Sequence, residues 1–361
     1  MYRTPLSMAR RAGTIGSNAD EGNAEMAQDL LDQDTPDTIR VTEAEARAIG
    51  EGALQRIGYS TEDAAIVVDQ LVDNALCGYR FASLPRILTI AADQRTYTKR
   101  EPVRIVRETP SSALVDGGNQ VGYIAAFRGA EIAAAKAKAT GIAMVGVYNS
   151  FYSGRNAFFV EHIVKSGLVA IHSSSAKPHV LPPGGAAPAL GTNPFCVGFP
   201  SANGPVIYDI GTASVMWGEV LLMARLGHPL PEGTGFDKDG KPTTDAAKAA
   251  EGGVSAFGGH KGFGLSFAIQ ALGLLAGAAL TSGNVTDYGF LFIAMDPAVM
   301  LGDGQFEQQM AELVDRVKAT PKQPGVDEIR IPSERAFRER ERRRMEGIVL
   351  DRAVVDALNA L

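Results

Sequence analysis

The chain has 361 residues, 45% of them hydrophobic and 21% charged, with a formal net charge of −6. That balance suits a water-soluble globular enzyme and excludes a nucleic-acid or membrane-surface binder driven by positive charge. The length accommodates two domains, or one large domain with a smaller companion, at roughly 100–200 residues each.

Residues 1–38 are polar and lack periodicity, which reads as a flexible extension. Its basic start, Met1–Ser17, has no apolar core for a secretory signal, and Asp20, Glu21 and Glu25 argue against a transit peptide. From Val41 the pattern becomes helical. Thr42 and Glu45 form a capping box, Ala46, Ile49, Ala53 and Leu54 keep helical spacing, and Gly58 ends the element. Thr61 is the expected cap of a second helix carrying Ile66, Val67, Gln70 and Leu71. Residues 39–102 therefore read as a helical unit.

Strands and longer helices then alternate. Val103–Arg107 and Ala113–Asp116 read as strands about a turn at Thr109-Pro110, and Tyr123–Thr140 as an Ala-rich helix stopped by Gly141. Ile142–Tyr148, Leu168–His172, Phe195–Phe199, Val206–Ile210 and Phe290–Met295 read as further strands, with a helix over Asn156–Lys165 closed by Gly167. Residues 227–253 are rich in Gly, Pro and Asp and read as a surface excursion. Lys261–Leu280 is the longest apolar helix; its Ala268–Leu280 run is too short to span a bilayer. Helices return in Phe306–Thr320 and Arg352–Leu361, so 306–361 rejoins the helical unit and 103–305 forms an α/β unit. In the basic run Arg335–Arg344, interleaved Glu334, Glu339 and Glu341 favour a solvated helix over a phosphate-binding patch.

This is an α+β (mixed α/β) chain with a sheet domain and a small helical domain built from both termini. No Gly-x-Gly-x-x-Gly follows a strand, and Asp116-Gly117-Gly118-Asn119-Gln120-Val121-Gly122 has the wrong spacing, so the Rossmann fingerprint is not found. Cys77 and Cys196 lack metal-type spacing and sit in apolar text. No metal site is expected, and free thiols point to a reducing, cytoplasmic setting.

Seven stretches carry candidate chemistry, and each also has a plain structural reading. Gly258-Gly259-His260-Lys261-Gly262-Phe263-Gly264 opens an apolar helix: either a simple turn, or a place where backbone amides and Lys261 meet a phosphate. Gly191-Thr192-Asn193-Pro194 is a turn before a strand. Ser173–Gly185 is a Pro/Gly loop with Lys177 and His179, either exposed or facing a site. Asp209-Ile210-Gly211-Thr212-Ala213-Ser214 ends a strand, and Trp217-Gly218-Glu219 starts a helix. Glu219 is either solvated or a carboxyl whose pKa an apolar pocket raises. In Asn149-Ser150-Phe151-Tyr152-Ser153-Gly154 and Gly78-Tyr79-Arg80-Phe81-Ala82-Ser83-Leu84-Pro85-Arg86, the tyrosines either pack or donate protons beside Arg80, Arg86 or Arg155.

Taken together, these segments resemble the malate/L-lactate dehydrogenase type 2 family, which includes sulfolactate, ureidoglycolate and diketogulonate dehydrogenases and cyclic-imine reductases. The resemblance covers about residues 40–361. It implies a nicotinamide cofactor, NAD or NADP, held by Ser153, Gly154, Asp209, Ile210, Gly211, Trp217, Gly218, Gly259, His260, Lys261, Gly262 and Gly264. It implies that Arg86 and Thr192 bind a small carboxylate substrate, and that the protein is a homodimer. The family pattern Gly-His-x-Ser-His-Gly-x-x-Arg meets Gly78–Arg86 here, with Phe81 and Ala82 where the family has its Ser and its proton-donating His. Tyr79, Tyr152, His179 and Glu219 are the candidate replacement donors.

The expected activity is hydride transfer between nicotinamide and a 2-oxo/2-hydroxy acid or a cyclic imine carboxylate, with a non-His proton donor or none. The alternative is a catalytically silent cofactor-binding homologue with a regulatory or structural role.

Overall fold

The computed structural model describes residues 36–280 and 287–361, so most of the expected extension, residues 1–35, lies outside the described residues. The chain enters through β1 (Thr38–Val41), α1 (Glu43–Arg56) and α2 (Thr61–Leu76). Both halves of the capping box form: Thr42 Oγ1 accepts from Glu45 N at 3.2 Å, and Glu45 Oε2 accepts from Thr42 N at 2.8 Å. Ser60, one residue before the expected Thr61, caps α2 by accepting from Asp63 N at 3.1 Å. A 3-10 turn at Arg80–Ala82 and α3 (Arg86–Ala92) follow.

The sheet section runs β2 (Arg104–Thr109), β3 (Ser112–Asp116), α4 (Gly122–Thr140), β4 (Ile142–Tyr148), α5 (Asn156–Val164), β5 (Val169–Ser175), β6 (Phe195–Phe199) and β7 (Val206–Ile210). Next come α6 (Trp217–Leu226), β8 (Gly235–Phe236), β9 (Pro242–Thr243), α7 (Ala246–Glu251), β10 (Gly253–Val254), α8 (His260–Leu275) and β11 (Gly289–Met295). The chain closes with α9 (Gln305–Lys318), α10 (Glu334–Glu346), β12 (Ile348–Asp351) and α11 (Arg352–Asn359).

An open seven-stranded sheet, ordered β2-β3-β4-β11-β5-β6-β7, forms the mixed α/β body expected from the sequence. Only β3 and β4 run parallel; every other neighbouring pair is antiparallel. Alternate residues of a strand face opposite ways, and both faces are covered. α4 and α5 pack on the face carrying Val147, His172, Gly198 and Phe292, while α8 lies on the face carrying Ser175. At the centre His172 stacks on Phe292, with centroids 4.0 Å apart, and burial pulls its pKa down to about 3. The first and last described elements meet: β1 pairs antiparallel with β12, α11 packs on α1, and α10 packs on α2.

Three expectations need correction. Residues 227–253 are no mere excursion. A three-stranded sheet ordered β10-β8-β9 and α7, capped by Asp245, pack with α6 around a second core. Sparse apolar residues, Leu230, Ala246, Ala249 and Val254, close that core against Val180, Leu190 and Val220. The long apolar helix stops at Leu275, because the chain turns at Ala276 and Gly277, whose φ is +92°. The basic helix is not simply solvated, since Arg340 and Arg343 are 8% and 4% exposed. Arg340 binds Glu161 through both Nη atoms at 2.8 and 2.6 Å, and its Nε lies 2.9 Å from Asp73. Those partners are remote in sequence, so local Glu/Arg spacing could not reveal them.

Candidate active site

The registers place one set of strand ends together. The C-terminal ends of β3, β4, β5 and β7 and the N-terminal ends of β6 and β11 share one margin of the sheet. The loops leaving that margin, 117–121, 149–155, 176–194 and 211–216, carry the candidates Tyr152, Ser153, Gly154, His179, Thr192 and Gly211.

Arg86 opens α3 facing this margin. Its guanidinium lies 5.3 Å from the centroid of the Tyr152 ring, and it makes no ion pair with a carboxylate among the described residues. Tyr152 has a φ of +49°, a conformation rare for an aromatic residue, and its ring meets Tyr288 edge-on at 6.1 Å. Burial and the nearby Asp93 carboxylate raise its pKa against the pull of Arg86 and Arg95, the reverse of the activation expected from flanking cations. Tyr123 is fully buried, its hydroxyl has no hydrogen-bond partner among the described residues, and burial outweighs the Arg86 charge to raise its pKa. Tyr79 belongs to a different group of cations: its ring is 5.2 Å from Arg155 and 5.4 Å from Arg335.

Phe81 and Ala82 form the 3-10 turn that packs on the start of α6. A Cβ on Gly218 would come within 3.1 Å of the Phe81 ring. Glu219 therefore stands beside the segment that carries Phe81 and Ala82. It has no cationic partner among the described residues, and burial raises its pKa. On the neighbouring loop His179 stacks on Trp217, with centroids 3.9 Å apart and planes 12° apart. Burial, helped by Lys177, lowers the His179 pKa to about 4, so its ring is neutral at pH 7.

The start of α8 has room and polarity for a dinucleotide phosphate. Gly258 and Gly259 have φ values of +56° and +62°, and a Cβ at Gly258, Gly259 or Gly264 would meet nothing within 4 Å. No side chain caps the helix, Lys261 and His260 are exposed, and Gly262 is packed under Phe257. Open backbone beside an uncapped helix start suits an anion. Asn193 ties this region together: its Nδ2 donates to Ser266 O and Gln270 Oε1 at 2.9 and 3.0 Å, and its Oδ1 accepts from Ala176 N at 3.2 Å. Thr192 holds Thr212 through its carbonyl, which accepts from Thr212 N at 2.8 Å and Oγ1 at 3.0 Å.

Other candidates also make contacts within the fold. Asp209 accepts from Ala157 N at 2.7 Å, closing the start of α5, and burial pushes its pKa up to about 6. Ile210 pairs with Phe195 in the sheet, and a side chain at Gly211 would collide with Met216. Ser153 is buried, its carbonyl accepting from Gln70 Nε2 at 2.9 Å, and a Cβ on Gly154 would lie 2.6 Å from both Gln70 and Tyr123. Sequence reasoning missed Tyr123, Tyr288 and Asn193 as neighbours of the cleft. Only Asn193 left a local signal, as an Asn inside the Gly-Thr-Asn-Pro turn, where its φ is +32°.

Among the described residues, no group of His, Cys, Asp and Glu could hold a metal ion, and no helix is long and apolar enough to cross a membrane. Solved structures with this architecture are dehydrogenases and reductases. A dehydrogenase from Sinorhizobium meliloti matches with a TM-score of 0.82 at 26% identity, covering 90% of this chain and 98% of that one. The chain belongs to the malate/L-lactate dehydrogenase family, whose model matches residues 41–359. It is 32% identical over 332 residues to malate/(S)-sulfolactate dehydrogenase of Methanothermus fervidus, covering 89% of this chain and 96% of that relative. It is also 32% identical over 341 residues to Delta(1)-pyrroline-2-carboxylate reductase of Ancylobacter novellus, covering 90% of this chain and 97% of the relative.

Proposed function

We propose that this enzyme is an NAD- or NADP-dependent reductase of a small α-substituted carboxylic acid, a 2-oxo acid or a cyclic imine carboxylate. The observation that carries the reading is Arg86, a guanidinium 5.3 Å from the Tyr152 ring at the strand-end margin, with no carboxylate partner among the described residues. Such a group grips a substrate carboxylate through two parallel hydrogen bonds. The nicotinamide, when bound, supplies the hydride. Gly259, His260, Lys261, Gly262 and Gly264 are the residues that would hold its phosphates, and Trp217 and Gly218 would border it.

Reduction of a ketone needs a proton at oxygen, whereas an imine nitrogen can arrive already protonated. Phe81 and Ala82 supply none. His179 is neutral above pH 4 and Tyr152 is held a weaker acid than usual, which leaves Glu219, whose raised pKa favours a protonated carboxyl, as the donor. Thr192 completes the substrate side, and Tyr79 braces Arg155 rather than the substrate. The relative named as a Delta(1)-pyrroline-2-carboxylate reductase supports a cyclic imine as substrate. The reading includes a cytoplasmic homodimer with no nucleic-acid or membrane partner. Exposed Phe267, Leu274, Leu275 and Leu280 along and beyond α8 offer an apolar contact for a second copy.

The chain's single tryptophan, Trp217, stacks on His179 beside Gly218 and Glu219, so its emission should report cofactor binding there. Titration with NADH and with NADPH is expected to quench its emission saturably for at least one of them. No change with either cofactor overturns the reading.

A further inference from the structure

We infer that Asn74 is a positioning residue that locks the two site loops, Tyr79–Arg86 and Ser153–Arg155, to each other. The kinetic part of this inference rests on the function proposed above. Asn74 is completely buried near the end of α2, and both ends of its amide are used, on different loops. Nδ2 donates to the Ala82 carbonyl at 2.9 Å, and Oδ1 accepts from Arg155 Nε at 2.8 Å. Its own carbonyl accepts from Tyr79 N at 2.8 Å. From Ala82 the turn continues through Ser83 N to Arg80 O at 3.2 Å and Arg86 N to Ser83 O at 2.9 Å, so the Asn74 contact fixes where α3 and Arg86 begin.

The second loop is held from the same helix face. Gln70, one turn earlier, donates through Nε2 to Ser153 O at 2.9 Å and to Arg155 O at 3.0 Å. Arg155 is in turn ion-paired with Asp73, and Asp73 also meets Arg340, which is bidentate on Glu161. The bridge is thus braced by α5 and by the C-terminal helix α10. A buried amide with donor and acceptor both committed has one working orientation, and misplaced binding groups lose rate steeply, by as much as about a hundredfold for 1 Å.

Asn74→Asp keeps the shape and the acceptor toward Arg155 but removes the donor toward Ala82. Amide hydrogen exchange should then quicken by about tenfold across residues 79–86 and stay unchanged across 153–160. Arg155→Gln cuts the bridge from the other side and should release 153–155 while 79–82 remains protected, which decides the matter if the first variant does not fold. With oxamate as the carboxylate probe, Asn74→Asp should weaken binding about tenfold while affinity for NADH or NADPH stays within about twofold. Unchanged exchange at 79–86 overturns the inference. So does loop release with unaltered oxamate binding, which would reduce Asn74 to a packing role. If the unmodified protein binds neither cofactor, the proposed function fails and the oxamate arm with it, whereas the exchange pattern still upholds or overturns the Asn74 bridge.

Discussion

Phe81 packs against Gly218, so that even a single added Cβ there would stand 3.1 Å from its ring. This contact sets the apolar turn Phe81–Ala82 beside Glu219, whose carboxyl has no cationic partner among the described residues and whose pKa is raised by burial. Glu219→Gln should lower turnover of a 2-oxo acid by about 10²–10⁴-fold, the usual contribution of a positioned general acid. Reduction by the unmodified enzyme should fall as pH rises through the raised Glu219 pKa, because the donor must be protonated. A pH–rate profile of the Gln variant that keeps this descending limb would remove Glu219 from the role.

Arg86→Lys tests the carboxylate grip. A point charge cannot reproduce the paired hydrogen bonds of a guanidinium, so KM for the acid should rise by about 10- to 100-fold with cofactor affinity unaltered. Steady-state kinetics at saturating cofactor measures this, and an unchanged KM would place the carboxylate elsewhere.

Gly264→Leu separates cofactor contact from folding. Its Cβ would point into open space, and Leu is the better helix former by about 0.8–1.0 kcal/mol at most. Thermal stability should hold or improve while NADH or NADPH affinity drops at least about tenfold. Equal affinity would show that the cofactor passes elsewhere.

Arg340→Met leaves Glu161 buried without its bidentate partner and should cost about 3–5 kcal/mol of folding stability. Adding Glu161→Leu should restore much of that loss. Burial alone would raise the Glu161 pKa, yet the Arg340 and Lys165 pairs bring it below the usual carboxylate range. Chemical denaturation of the single and double variants checks both statements.

Stability against pH should carry opposing contributions. Asp209, with its pKa pushed from 3.8 to about 6 by burial, binds more protons folded than unfolded in that window. Its contribution is present below pH 3.8 and is lost as pH rises through about 6. His172 and His179, lowered to about 3 and about 4, act the other way, and their contribution is lost as pH falls below about 6.5. Asp209→Asn should therefore gain on the unmodified protein as pH rises from 4 to 7, followed by urea midpoints. A constant difference would contradict the raised pKa.

Local signals explain what could be read in the sequence. The Thr42–Glu45 capping box, the helix stopped by Gly141 and the strand Ile142–Tyr148 are encoded within a few turns or one alternation. The β1–β12 pair was not legible, because strands of four residues at opposite ends of the chain support each other only after folding. The small core around Leu230 and Val254 was masked by the Gly and Pro that dominate its loops. Within the site, Arg86 and the 258–264 glycines lie in contiguous motifs that a reader can quote. Tyr123, Tyr288 and Asn74 come up behind the site loops only through the antiparallel placement of β11 beside β4 and the docking of α2 on the 153–155 loop. Arg340 escaped because its charge is balanced by partners on other helices.

The most direct test of the proposed reductase activity is NADH and NADPH consumption by the purified protein with a panel of 2-oxo acids and cyclic imine 2-carboxylates. The account predicts turnover with at least one member, abolished or sharply reduced by Arg86→Lys. Saturable cofactor binding with no consumption across the whole panel would contradict it and favour a catalytically silent homologue.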